Sequence, residues 1–140
     1  MAKAREVMSH HVISVRDDED IYAAIRVMAT NEVTGLPVVD KHETLVGIIT
    51  EKDVLVLLYT MQDRPGMVRD FMTRDVVCFD QESDVAEVAE ALRTRNFRRA
   101  PILDRGRLVG IISRRDIIRH MRELRNEDRL LRDSILELVF

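Results

Sequence analysis

Two rhythms of hydrophobic and polar positions run along this chain, and they come in the same order twice. Val12 to Val15 is a short β-branched stretch, followed by an acidic cluster from Asp17 to Asp20. Acidic residues favour a helix start because they oppose the positive end of the helix dipole. Ile21, Ala24, Ile25 and Met28 then recur at helical spacing. Leu36–Asp40 and Leu45–Ile49 predict two strands, with the polar Lys41-His42-Glu43-Thr44 between them as a hairpin loop. A second helix is predicted after Thr50, whose hydroxyl suits an N-cap. The second pass repeats the plan. Val76 to Phe79 is its first strand, and Val85, Val88, Ala89 and Leu92 form its helical stripe. Asp104-Arg105-Gly106-Arg107 is a tighter turn in which Gly106 is free to take positive φ, and Ser113 precedes the last helix. The predicted order is β-α-β-β-α, twice.

The two passes align residue by residue. Val7-Met8-Ser9 lies over Phe71-Met72-Thr73, and Val12-Ile13-Ser14-Val15 over Val76-Val77-Cys78-Phe79. Pro37-Val38-Val39-Asp40 lies over Pro101-Ile102-Leu103-Asp104. After a one-residue deletion, Leu45-Val46-Gly47-Ile48-Ile49-Thr50 lies over Leu108-Val109-Gly110-Ile111-Ile112-Ser113, and Asp53-Val54 over Asp116-Ile117. Agreement at this many ordered positions marks an internal duplication. A repeat of roughly 60 residues buries too little surface to be comfortable alone. Residues 1–64 and 65–122 are therefore predicted to pack as two repeats around one shared core, an α/β (α+β) fold. The Pro65-Gly66 turn signal sits near their junction at Gln62–Met67. Residues 123–140 form a charged tail that keeps Leu124, Leu130, Leu131, Ile135, Leu138 and Val139, which predicts one or two further helical pieces. Their apolar face is expected to cover the module or a second copy of it.

Composition narrows the classes. Hydrophobic residues are 46% and charged residues 34% of the 140, enough for a core and a solvated surface. No apolar run approaches the roughly 20 residues that span a bilayer. The opening MAKAREVMSHH lacks the apolar stretch of a secretory signal, so a cytoplasmic protein is expected. The single Cys78 excludes an internal disulfide and a cysteine zinc cluster. Net charge is -3 but unevenly spread: residues 1–64 carry 7 basic and 11 acidic side chains, and residues 65–140 carry 15 and 14, every basic one an Arg. That balance argues against general nucleic-acid binding and leaves room for a local anion site.

The Gly-Ile-Ile-(Thr/Ser)-x-x-Asp ending of each repeat, with the hydrophobic-Pro-hydrophobic-hydrophobic-Asp strand before it, resembles the CBS domain. The likeness covers about residues 4–122, and a tandem pair of such domains is called a Bateman module. The resemblance implies a disc of two repeats about a pseudo-twofold axis, with two clefts for adenosine-containing ligands. It also implies a regulatory role toward another protein and dimerisation through the helices.

Thr50-x-x-Asp53 and Ser113-x-x-Asp116 are the leading candidates. An Asp one turn into a helix can accept two hydrogen bonds from a ribose diol, while the hydroxyl and helix amides face a phosphate. The same spacing also makes a capping box with Asp in place of Glu; spacing alone favours that reading, and the resemblance favours ribose. The resemblance further implies crossed clefts. The first would combine Ser113, Arg114, Arg115 and Asp116 with Ser14, Val33, Thr34, Gly35, Leu36 and Pro37. The second would combine Thr50, Lys52 and Asp53 with Cys78, Phe97, Arg98, Arg99, Ala100 and Pro101. Backbone groups before each Pro would read the adenine edge, with Ile13, Val33 and Phe97 flanking the ring. Asn96-Phe97-Arg98-Arg99-Ala100-Pro101 resembles the phosphate-binding segment of the γ subunit of AMP-activated protein kinase. Paired guanidinium forks suit phosphate and repel a sulfonium, which favours AMP, ADP or ATP over S-adenosylmethionine in the second cleft. A solvated, salt-bridged turn is the plainer reading of Arg98 and Arg99.

Other signals are weak. His10, His11 and His42 lack partners at metal-ligand spacing. Cys78 reads as a small strand residue lining a cleft, and Met28, Met61, Met67 and Met121 as core or interface filler. Arg119, Arg122, Arg125, Arg129 and Arg132 could line a nucleic-acid-binding face, but Glu123, Glu127, Asp128 and Asp133 interleave with them as in a salt-bridged helix. No nucleophile–base order, phosphate-binding glycine loop or metal cluster supports an enzyme. The expected function is a regulatory module that binds an adenine nucleotide, with no catalytic cofactor and no membrane, as a homodimer with a regulated partner protein. A structural or dimerisation module with unused clefts, or a sensor of S-adenosylmethionine or NAD, is the alternative.

Overall fold

The computed structural model describes residues 2–60 and 65–139; in its last helix the side chains of 130, 131 and 133–139 are not described. In repeat one, Asp20 accepts the Tyr22 amide at 2.8 Å and so caps helix α2, Ile21–Asn31. Ile21, Ala24 and Met28 are its buried face, as their spacing dictates. Strands β1 (Val15–Arg16), β2 (Gly35–Val39) and β3 (Leu45–Thr50) form one sheet, with β1 parallel to β2 and β2 antiparallel to β3. Helix α3 (Glu51–Leu55) and the short α4 (Leu57–Thr60) follow. Repeat two copies this arrangement. Its sheet is β4 (Phe79–Asp80), β5 (Arg99–Asp104) and β6 (Arg107–Ser113), with α5 at Val85–Thr94 and α6 at Arg114–Val139.

The repeats exchange their opening segments. Ser9, just after helix α1 (Ala4–Val7), pairs with Ile111 on β6 of the other repeat, through amide–carbonyl bonds of 2.8 and 3.0 Å. Its counterpart Thr73, after the 3-10 turn Val68–Asp70, pairs with Ile48 on β3 by two bonds of 2.8 Å. Each segment also completes the other's core. Val68 is fully buried among Val15, Ile21, Leu36 and Ile49, while Ala4 and Met8 are buried among Val88, Ile102 and Ile112. Glycine permits the close approach. A Cβ on Gly47 would stand 2.7 Å from Met72 Sδ, and one on Gly110 would overlap Met8 Sδ.

The exchange explains why the first strands are shorter than predicted. The stretches Val12–Val15 and Val76–Phe79 reduce to Val15–Arg16 and Phe79–Asp80, because the residues before them travel between repeats. The hairpin tips also join the halves, with Leu45 N donating to Gly106 O and Leu108 N to Glu43 O, each at 3.1 Å. Gly106 takes φ +81°, as its turn requires, and Gly66 takes +127°. The tail is not a separate element: α6 runs unbroken from Arg114. Leu124 on it is exposed, whereas Leu130, Leu131, Ile135, Leu138 and Val139 lie outside the described side chains. Met28 is core; Met67 and Met121 are exposed, and Met61 lies outside the described residues.

Candidate functional site

The duplicated Gly-Ile-Ile strand builds the floor of the site. Strand alternation turns Ile49 and Ile112 into the cores, where both are fully buried, and leaves Ile48 and Ile111 facing the other way. There they line a first cavity of about 220 Å³ with Pro37 and Pro101. This cavity straddles the pseudo-twofold axis, because equivalent residues from both repeats line it: Thr34 and Gly35 from one, Arg98 and Arg99 from the other. Phe97 and Asn96 add a wall, and Thr50, Glu51 and Lys52 close it at the start of α3. A second, more open cavity lies beside it. Ser113, Arg114, Arg115 and Asp116 line it together with Ser9, Glu32, Ile111 and, again, Arg98 and Arg99.

The grouping keeps Thr50 and Lys52 with Phe97, Arg98, Arg99 and Pro101 but departs from the rest of the two crossed clefts. Thr34, Gly35 and Pro37 stand with Thr50, Lys52, Phe97, Arg98, Arg99 and Pro101 on the first cavity, not with Ser113 to Asp116. The starts of β2 and β5 flank the axis, so both reach the central space. Leu36 and Ala100 send their side chains into the cores, leaving only backbone groups for a ligand. Val33 packs against the first core, and Ser14 is exposed outside both cavities. Cys78 lines a separate surface groove with Glu87 and Glu90, and burial pushes its thiol above the ordinary value. Ile48, Glu51, Asn96, Ile111, Ser9 and Glu32 are lining residues that pattern reading missed. For the isoleucines the signal was present, since two adjacent strand residues must face opposite ways.

Both carboxylates make the capping box. Asp53 Oδ2 accepts from Thr50 N at 2.9 Å and from Thr50 Oγ1 at 3.0 Å. Asp116 Oδ2 accepts from Ser113 N at 2.8 Å and Ser113 Oγ at 3.0 Å, and Asp116 N donates back to Ser113 Oγ at 3.2 Å. The other oxygen differs between repeats. Asp53 Oδ1 accepts from Thr73 Oγ1 at 3.2 Å, and Asp53 lies off both cavities. Asp116 Oδ1 faces Arg119 at a loose 3.4 Å, and Asp116 lines the second cavity although it is only 8% exposed. The basic side chains are less committed. Arg114 donates to Leu92 O at 3.1 and 3.3 Å. The side chains of Lys52, Arg98, Arg99 and Arg115 make no ion pair or hydrogen bond among the described residues. An apolar floor with unpaired cations on its rim can hold a flat ring and the anionic group attached to it.

A duplicated β-α-β-β-α unit with exchanged openings and paired interfacial cavities defines a tandem CBS pair. The chain belongs to the CBS domain family, which it matches over residues 4–60 and 68–123. It is 42% identical over 118 residues to an inosine-5'-monophosphate dehydrogenase of Methanocaldococcus jannaschii, covering 84% of this chain and 23% of that protein. It is 28% identical over 125 residues to hypoxic response protein 1 of Mycobacterium tuberculosis, covering 88% and 87%. The chain thus spans under half of the first curated relatives it matches, 23% and 41% of two from M. jannaschii. Among solved structures it superposes on CBSX2 in complex with AMP with TM-score 0.79 at 26% identity, covering 89% and 99%. A CBS domain pair in complex with 5'-methylthioadenosine and S-adenosyl-L-methionine superposes with TM-score 0.70 at 28% identity, covering 86% and 96%. No described helix is long and apolar enough to cross a membrane.

Proposed function

We propose that this CBS pair senses a phosphorylated adenosine ligand, AMP, ADP or ATP, and acts by regulation, not catalysis. The observation that carries this reading is the apolar cavity on the axis, with Lys52, Arg98 and Arg99 on its rim and without a partner among the described residues. Ile48, Ile111, Pro37, Pro101 and Phe97 would sandwich the adenine, and the guanidinium groups would take the phosphate. AMP in a CBS pair of the same fold supports the ligand class. The methylthioadenosine and S-adenosyl-L-methionine of another pair leave the sulfonium ligand as the competitor. Two unpaired arginines disfavour that cation. In the second cavity Asp116 would bind a ribose by giving up its loose Arg119 contact, and Asp53, off both cavities, would have to release Thr73 first.

Binding between repeats would favour one arrangement of them, and a ligand shifts such an equilibrium only by its difference in affinity for the two states. Titration calorimetry with AMP, ADP, ATP, NAD and S-adenosylmethionine tests the reading. Expected is saturable binding of the phosphorylated nucleotides, with Asp116→Ala weakening only the event in the second cavity, by about 1–3 kcal/mol. Binding of S-adenosylmethionine alone, or of nothing, would overturn it.

A second reading, assembly, is favoured by an exposed apolar stripe. Leu55 and Leu58 in repeat one, and the equivalent Ile118 and Met121 with Leu124 in repeat two, face solvent. We assign this stripe to a homodimer, which is compatible with ligand sensing and adds a surface that could transmit it.

A further inference from the structure

The two cavities have one wall in common, and that wall holds the charge. Arg98 and Arg99 line both. Apart from them, the charged lining of the first cavity is Lys52 against Glu51, and that of the second is Arg114 and Arg115 against Glu32 and Asp116. Each private set cancels, so the formal positive surplus among the residues lining either cavity is Arg98 and Arg99. Repeat one contributes no matching pair, because the equivalents of Arg98 and Arg99 are Thr34 and Gly35. We infer that the two sites compete for one phosphate-binding pair, so that a phosphorylated nucleotide in one cavity weakens binding of a second in the other. This rests on the nucleotide reading above and adds to it a coupling between the sites.

The physical reason is direct. A phosphate takes up the hydrogen-bond donors of a guanidinium fork and neutralises its charge. A second phosphate then meets walls whose remaining charges balance, beside an anion already bound. Adenosine, with no phosphate, does not draw on the pair, so its two binding events remain independent. Coupling of this kind is reciprocal, whichever cavity fills first.

Calorimetric titration of three forms of the full chain tests the inference. Gly35 lines only the first cavity, and a Cβ there meets nothing nearer than Ile49 O at 3.6 Å and Thr50 Cγ2 at 3.7 Å, so Gly35→Phe can plug that cavity. Ser9→Phe plugs the second. The intact chain should bind two AMP molecules, the second at least about tenfold weaker. Each plugged variant, checked as folded by circular dichroism, should bind one AMP tighter than that weaker event. Independent sites require one variant to reproduce the weaker constant unchanged, and that result overturns the inference. Arg98→Gln/Arg99→Gln should lose most of the preference for AMP over adenosine in both cavities; a preference kept at the intact level would also overturn it. Two equal AMP sites in the intact chain would defeat the coupling and leave the nucleotide reading standing. No AMP binding at all would defeat both.

Discussion

Gly110 and Gly47 show how one missing methyl group holds the two repeats together. Each is buried in the third strand of its sheet at the point where a methionine from the other repeat crosses, Met8 over Gly110 and Met72 over Gly47. Gly110→Ala is expected to destabilise the fold by about 1–3 kcal/mol, the usual cost of forcing atoms into a packed contact. Urea denaturation checks this, and shortening the partner with Met8→Val should recover part of the loss. Additive losses would show that the two side chains do not meet. Cys78 is a residue whose environment makes it quiet. Burial raises its thiol, which keeps it protonated at neutral pH, and the thiolate is the reactive form. Iodoacetamide should therefore modify Cys78 more slowly at pH 7.5 than it modifies a free thiol, with the gap narrowing as pH rises. Modification as fast as glutathione would contradict that.

At the scale of elements, the helices and hairpins were legible because they depend on near neighbours. The stripe Ile21, Ala24, Met28 and the turn at Gly106 are settled by residues within a few positions. The exchange of openings was not legible, because the bond from Ser9 to Ile111 joins positions far apart and either one alone reads as ordinary backbone. Only the match of Val7-Met8-Ser9 with Phe71-Met72-Thr73 hinted that these segments shared a task. The same gap separated the expected clefts from the observed cavities. Residue types were readable at Arg98, Arg99, Ser113 and Asp116, but which of them share a wall depends on how the sheets meet. The exchange predicts an asymmetry in truncation. Removing residues 1–9 takes Ala4 and Met8 out of the core of repeat two and frees the Ile111 amide, while leaving the core of repeat one intact. Loss of the methionine contacts alone costs about 2–5 kcal/mol. Hydrogen exchange on the truncated chain should show protection falling on β5 and β6 well before β2 and β3. Equal loss in both sheets, or none, would refute the separate roles of the two openings.

For the whole molecule, the remaining question is what covers the helical edge. The pseudo-twofold axis brings α3 and α4 of repeat one and α6 of repeat two into equivalent positions, and it repeats their apolar residues. Leu58 is 72%, Ile118 66% and Met121 62% exposed, although each stands on a helix whose inner face is packed. Large apolar side chains left open on both repeats mark an association surface. A twofold dimer satisfies that surface with a self-complementary partner, since the same patch then serves on both sides. Helix α6 extends the surface: at about 1.5 Å per residue, its 26 residues reach some 39 Å, well beyond the strand it follows. The intact chain should therefore sediment as a dimer at micromolar concentration, and Ile118→Asp/Met121→Asp should sediment as a folded monomer. Neither residue lines the two cavities, so the monomer should still bind AMP. A monomeric intact chain would remove the homodimer, whereas a charged variant that stays dimeric would move the interface to another face.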